Sequence, residues 1–178
     1  MCIRDRYWPQ GEGGDLRMQN PYWIAYRNPR NTDKKRYMAN VSIAFDILPW
    51  LNVSGRAKID NTNSIFTQKL YASSNTTITE GSTQGHYTEI RNTDEQIYAD
   101  VMVNINKTFA DNKFSLVANV GASVNDTKSK ELSYRGPIRE VGIPNMFTVF
   151  DLDKEKSRAQ KYGWQEQTQS IFASVEMG

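Results

Sequence analysis

This chain is short of almost every residue type that chemistry is built on. Cys2 is the only cysteine, so there is no internal disulfide and no cysteine-based metal site. His86 is the only histidine, and no second ligand or nucleophile stands near it in sequence. A metal site needs several convergent ligands, so the favoured reading is a loop histidine with no role. No run approaches the ~18 consecutive apolar residues of a transmembrane helix. Neither sign of charge dominates, the formal balance being only +2. No basic stripe interleaves with aromatics, so nucleic acid is not an expected partner. Gly11 to Gly14 is followed by no GKS or GKT and is not a phosphate loop. Asp151, Asp153 and Glu155 lack the glycine and the final glutamate of a calcium loop and read as solvated charge. No catalytic constellation is present, no cofactor is implied, and the chain is not expected to be an enzyme.

What the chain has instead is alternation. From Tyr37 to Ile47, the residues Tyr37, Ala39, Val41, Ile43, Phe45 and Ile47 point one way. Asn40, Ser42, Ala44 and Asp46 point the other, with Met38 the only bulky apolar residue among them. Side chains alternate faces along a strand, so this is a strand with one apolar and one polar face. Its eleven residues match the ~9–11 that a tilted strand needs to cross a bilayer. Leu48-Pro49-Trp50 is a tight turn, in which proline stops the ladder and tryptophan suits a membrane interface. A second strand follows at once, with Leu51, Val53, Gly55, Ala57 and Ile59 against Asn52, Ser54, Arg56, Lys58 and Asp60. Three more strands are expected near 96–107, 114–125 and 167–177. The hydrophobic share of 38% is low for a packed soluble domain. It suits a barrel, whose strands need only one apolar residue in two.

The connections strengthen that reading. They run about three, thirty-five, seven and forty residues in turn, the short and long alternation of an outer-membrane barrel. A soluble sandwich spaces its turns more evenly, every ~8–12 residues. Residues 61–94 and 126–163 are therefore expected to be extracellular loops, and 48–50 and 107–113 periplasmic turns. Arg56 and Lys58 would each cost ~2–4 kcal/mol on the lipid face near the midplane, so they are assigned to the lumen. If the second and third strands pair directly, Arg56 can lie near Asp100. Lys34, Lys35 and Arg36 read as a solvated strand end, with lipid phosphate the less favoured partner.

The ends are read separately. Met1–Arg6 (MCIRDR) looks like translated adaptor sequence, the alternative being a genuine start on a flexible tail. Residues 1–19 are therefore set apart as a non-barrel segment, and 20–178 are read as a fragment of barrel. No basic-then-apolar export signal opens the chain, and an alternating strand is under way at Gly178, as a fragment would show.

Four stretches carry a family likeness. Asn20–Asn28 (NPYWIAYRN), followed by Tyr37–Asp60, resembles the SusC/RagA family of TonB-dependent outer-membrane transporters of the Bacteroidetes. Asn106–Val124 and Ile143–Val149 (IPNMFTV) fit the same family, the latter as a Pro-Asn-x-Phe loop element. The NPYWIAYRN segment itself reads as an ordered loop or strand edge. The resemblance implies a barrel with an N-terminal plug, import of oligosaccharides or peptides, a SusD-like lipoprotein lid and energy from TonB. It also implies outer-membrane lipid around the wall and a location in the cell outer membrane. Substrate-contacting residues are not identified by it. Tyr22, Trp23, Tyr71, Tyr87 and Phe147 could stack on sugars, but packing between loops is the favoured reading. The runner-up to the transporter is a soluble β-sandwich, carbohydrate-binding or adhesin-like.

Overall fold

A computed structural model describes residues 21–72, 74–109 and 114–178. The expectations for residues 1–19 and for most of the 107–113 turn lie outside them. A short helix, α1 (Pro21–Arg27), precedes five strands: β1 (Arg30–Leu48), β2 (Leu51–Tyr71), β3 (Gly85–Phe109), β4 (Phe114–Pro137) and β5 (Arg158–Met177). They form one antiparallel sheet in the order β1-β2-β3-β4-β5, each strand beside its sequence neighbour. That is the pairing which short turns and shared alternation predict.

The strands are about twice as long as the apolar pattern, with 19, 21, 25, 24 and 20 residues in β1 to β5. Residues 61–71, 85–94, 126–137 and 158–163 belong to strands, not to the long loops that polarity suggested. The true connections are 72–84 and 138–157. The reason is that a ladder needs backbone partners, not apolar side chains. Once two strands are in register, Thr, Asn and Ser extend them without leaving a sequence trace.

The chain divides into two compact units. The first, the belt unit, comprises Lys35–Asn63, Thr93–Lys130 and Gly163–Gly178. Its apolar residues stand in the open: Val41, Ile43, Phe45, Ile59, Val101, Val120, Ile171 and Val175 are all exposed. Its polar face is knitted by side chains. The Arg56 guanidinium donates to Asp100, whose side chain is only 2% exposed, with Nε 3.0 Å from Oδ2. Arg36 donates twice to Asp60, at 2.8 and 2.5 Å, with the carboxylate largely buried and the arginine side chain still 57% exposed. Asn104 donates to Asn52 at 3.2 Å, and Asn52 to Asp46 at 2.7 Å. All of these residues are even-numbered, as one face of β1, β2 and β3 requires. At the turn, the Lys107 ammonium lies 4.6 Å from the centre of the Trp50 ring and 5.2 Å from that of Phe109.

The second, the loop unit, takes Ser64–Asn92, Glu131–Tyr162 and the described part of Met1–Lys34. It contains α1 and both long connections.

A glycine makes room for one of the bulky side chains on the polar face of the belt unit. Phe172 shares its face with Ser174, whose hydroxyl accepts from Asn119 at 3.2 Å. The ring fits there because Gly121, across the ladder, has no side chain; a Cβ on Gly121 would run into the ring. Gly121→Ala is therefore expected to destabilise the sheet by about 1–3 kcal/mol through overpacking. In a Phe172→Ala background the same change should cost less, the remaining tight neighbour being Val101 O at 3.0 Å. Thermal melting of the four variants in detergent measures this. Equal costs in both backgrounds would show that the ring is not what Gly121 accommodates.

Candidate functional site

Pro21–Arg27 of the aromatic NPYWIAYRN segment form a helix rather than the loop or strand edge expected there. Pro21 sits at the first helical position, where its missing N–H costs nothing. The Asn28 amide closes on Ile24 O at 3.0 Å, and Pro29 ends the helix. Pro29 O then accepts from the Lys69 amide at 3.1 Å, which ties the helix end to β2. Trp23 Nε1 donates to the Ser74 hydroxyl at 3.3 Å, and that hydroxyl donates to Asn28 Oδ1 at 3.2 Å. The Arg27 guanidinium lies 5.9 Å from the Trp23 ring and 5.4 Å from the Tyr71 ring. At seven residues the helix is too short to leave a periodic signal.

The two loops interlock. In 72–84, Asn75 Oδ1 accepts from the Thr77 amide at 2.9 Å, and Glu80 and Gly81 turn the chain with φ of 53° and 91°. Ser82 donates to Ile138 O at 2.7 Å. Ile138 and Leu152 bridge the two ends of 138–157, and both are buried. The Pro-Asn-x-Phe element is the lock. Asn145 adopts φ 65°, a left-handed conformation that asparagine tolerates. Its amide donates to Gln84 O at 3.1 Å, and its Oδ1 accepts from the Ala72 amide at 2.6 Å. Phe147 packs on Tyr71 and Tyr87, with ring centres 5.0 and 6.2 Å away. Tyr71, Tyr87, Phe147 and Trp23 thus join elements to one another, the favoured sequence reading; Tyr22 stays exposed. Asp151 pairs with Arg139 at 2.9 Å, and Asp153 Oδ1 accepts from the Glu155 amide at 2.9 Å. Their carboxylates are thus used in loop structure rather than merely solvated.

Beside these loops lies a cavity of about 1010 Å³. Its floor is the even-numbered face of two neighbouring strands: Phe66, Gln68 and Leu70 from β2, and His86, Thr88 and Ile90 from β3. Arg30, Arg135, Asn75 and Glu80 line it further. His86 is not a loop residue. It opens β3 and is only 5% exposed. Its Nε2 lies 3.8 Å from Glu80 Oε1, and its Nδ1 has no hydrogen-bond partner among the described residues. Burial pushes the imidazole below its ordinary pKa; Glu80 pulls it back up and Arg135 pushes it further down. Next to it, burial and the hydrogen bond to Glu89 raise the Tyr87 hydroxyl to about 12. Burial alone would raise the Glu89 carboxyl, but hydrogen bonds from Tyr87 and Arg91, each 2.6 Å, outweigh it and lower the pKa. Among the described residues no group of three or more His, Cys, Asp or Glu is gathered as a metal would need. The arrangement offers hydrogen bonds, two cations and apolar surface, which is the equipment of recognition. The sequence signal missed here was the parity of His86 with Thr88 and Ile90.

Since its folded pKa is lowered, His86 should titrate below its ordinary value of 6.5. The unfolded chain then binds the proton more readily, so stability is lost as pH falls from about 6.5 toward the folded pKa. Histidine ¹³C NMR, with the resonance assigned by its loss in His86→Gln, measures the midpoint. A value at or above 6.5 would contradict the buried, neutral imidazole.

No protein-family model matches the sequence, and no curated protein does. Solved structures do match. The structure of the RagAB peptide transporter superposes with a TM-score of 0.78 and 15% identity, over 98% of this chain and 19% of that one. The RagAB peptide importer matches in its open-open state (TM-score 0.74, 16% identity, 98% and 18% covered) and in its closed-closed state (0.67, 16%, 98% and 19%). The chain thus spans about a fifth of the length of those proteins. At such identity the likeness establishes the fold. It is the all-β fold that the alternation predicts: antiparallel strands of a β-barrel, five of them, resembling the SusC/RagA transporters.

Proposed function

We propose that residues 20–178 are a stretch of barrel wall in a SusC-like TonB-dependent transporter of the outer membrane, importing oligosaccharides or peptides. The observation that carries this reading is the belt unit's pair of faces. One bears exposed Val41, Ile43, Phe45, Val101 and Val120, which suit lipid. The other binds its charges into Arg56–Asp100 and Arg36–Asp60 pairs, which suit a wet lumen. The strands support it too. At ~3.3 Å per residue, 19 to 25 residues far exceed a ~30 Å hydrocarbon layer even when tilted, so the wall extends beyond the membrane. Every long connection falls in the loop unit and the 49–50 turn in the belt unit. On this reading 72–84 and 138–157 are extracellular and the short turns periplasmic. The even face of the loop unit, with its cavity, then meets the substrate path. A SusD-like lipoprotein and TonB act through other parts of the transporter. The β-sandwich alternative would need a second sheet over the belt residues.

Single-cysteine labelling tests the topology in the complete transporter. Val141 and Phe150 are 89% and 90% exposed in the 138–157 loop. Val141→Cys or Phe150→Cys should react with a membrane-impermeant maleimide on intact cells, and Pro49→Cys should react only after lysis. The reverse order would invert the topology. Labelling of all three on intact cells would favour a soluble domain.

A further inference from the structure

We propose that the cavity beside the interlocked loops is a subsite for an acidic peptide, whose carboxylates are received by Arg30 and Arg135. This rests on reading the chain as barrel wall, and it goes beyond that reading by assigning the ligand's charge and its contacts.

The charges argue for an anion. Arg30 and Arg135 both line the cavity, and neither has a carboxylate partner among the described residues. Arg30 meets only a neutral group: the Gln68 amide, turned so that both are satisfied, accepts at 3.2 and 3.3 Å. Four other arginines among the described residues are paired, Arg36 with Asp60, Arg56 with Asp100, Arg91 with Glu89 and Arg139 with Asp151, and Arg27 lies over the Trp23 and Tyr71 rings. Glu80 is the only carboxylate among the lining residues, and it faces His86. A guanidinium left open in a concave site is a receiver for carboxylate.

The rest of the lining separates peptide from sugar. Ile24, Phe66, Leu70, Ile78 and Ile90 present apolar surface for side chains. Sugars lay their C–H faces on aromatic rings, yet Tyr71, Tyr87 and Phe147 are packed on one another, leaving Phe66 as the one ring in the described lining. Spacing points the same way. Arg30 opens β1 and Arg135 lies in β4, three strand intervals apart, or about 14 Å at ~4.8 Å each. Carboxylates four residues apart on an extended peptide span a similar ~13 Å.

The test uses the complete transporter carrying this segment, purified in detergent. The probes are a dye-labelled heptapeptide with glutamates at its second and sixth positions, and its glutamine counterpart. The glutamate peptide should bind about tenfold tighter, a preference typical of one or two charge-assisted contacts. Arg135→Gln, an exposed position whose change leaves the fold intact, should abolish that preference, and so should Arg30→Gln. Equal affinity for the two peptides, or a preference that survives both arginine changes, would overturn the proposal. So would trigalacturonate binding tighter than the glutamate peptide. If the cysteine topology above holds while the charge preference is absent, only this inference fails. If the topology itself is inverted or lost, the barrel-wall reading fails first.

Discussion

Every backbone N–H and C=O in a strand must find a partner, and this requirement governs the rest of the molecule. Inside lipid there is no water to substitute, so on the barrel reading the ladder cannot lapse anywhere along the span. It explains why the strands outrun their apolar segments. A broken ladder just past the membrane would leave unpaired groups, whereas continued pairing needs only a polar side chain on either face. It also explains the even-numbered ion pairs. Asp100 is almost wholly buried on the sheet, and a carboxylate there is tolerable only with Arg56 on it. Chain pairing fixes which side chains become neighbours, and those neighbours then have to satisfy one another.

The belt unit was legible in the sequence because there the side-chain pattern carries the information. A period of two over ten residues, punctuated by Pro49, determines strand, face and partner together. Even the Arg56–Asp100 contact followed once direct pairing was assumed. Outside the belt, alternation between unlike polar residues is invisible to a hydrophobic pattern, so 61–71 and 85–94 read as loop. His86 was misplaced for that reason: the neighbours that give it a strand setting, Thr88 and Ile90, form too short a run to stand out. The seven-residue α1 failed on length, since proline and aromatic composition looks like loop until its Ser74 and Tyr71 contacts are seen.

The candidate site depended on less legible physics still. Asn145 and Phe147 were visible as a motif, but their role comes from long-range partners, Ala72, Gln84, Tyr71 and Tyr87, brought near by the sheet order. The family resemblance pointed at the right residues. The hydrogen bonds supply the reason those residue types are needed: a left-handed φ that asparagine accepts, a side-chain oxygen for an orphan amide, and a ring for two tyrosines.

The double hold of Asn145 on Ala72 and Gln84 has a consequence for how such a protein can change. The first loop is closed at both its ends by a residue of the second, and Thr83 adds a further tie to Glu140. Neither connection is a free module. Transplanting one alone from a related protein would strip its partner of the groups that complete it, whereas moving the pair together would carry the joint along. Diversification of this surface must therefore proceed by exchange of matched loop sets, with lone insertions confined to stretches such as the exposed tip around Val141 and Phe150.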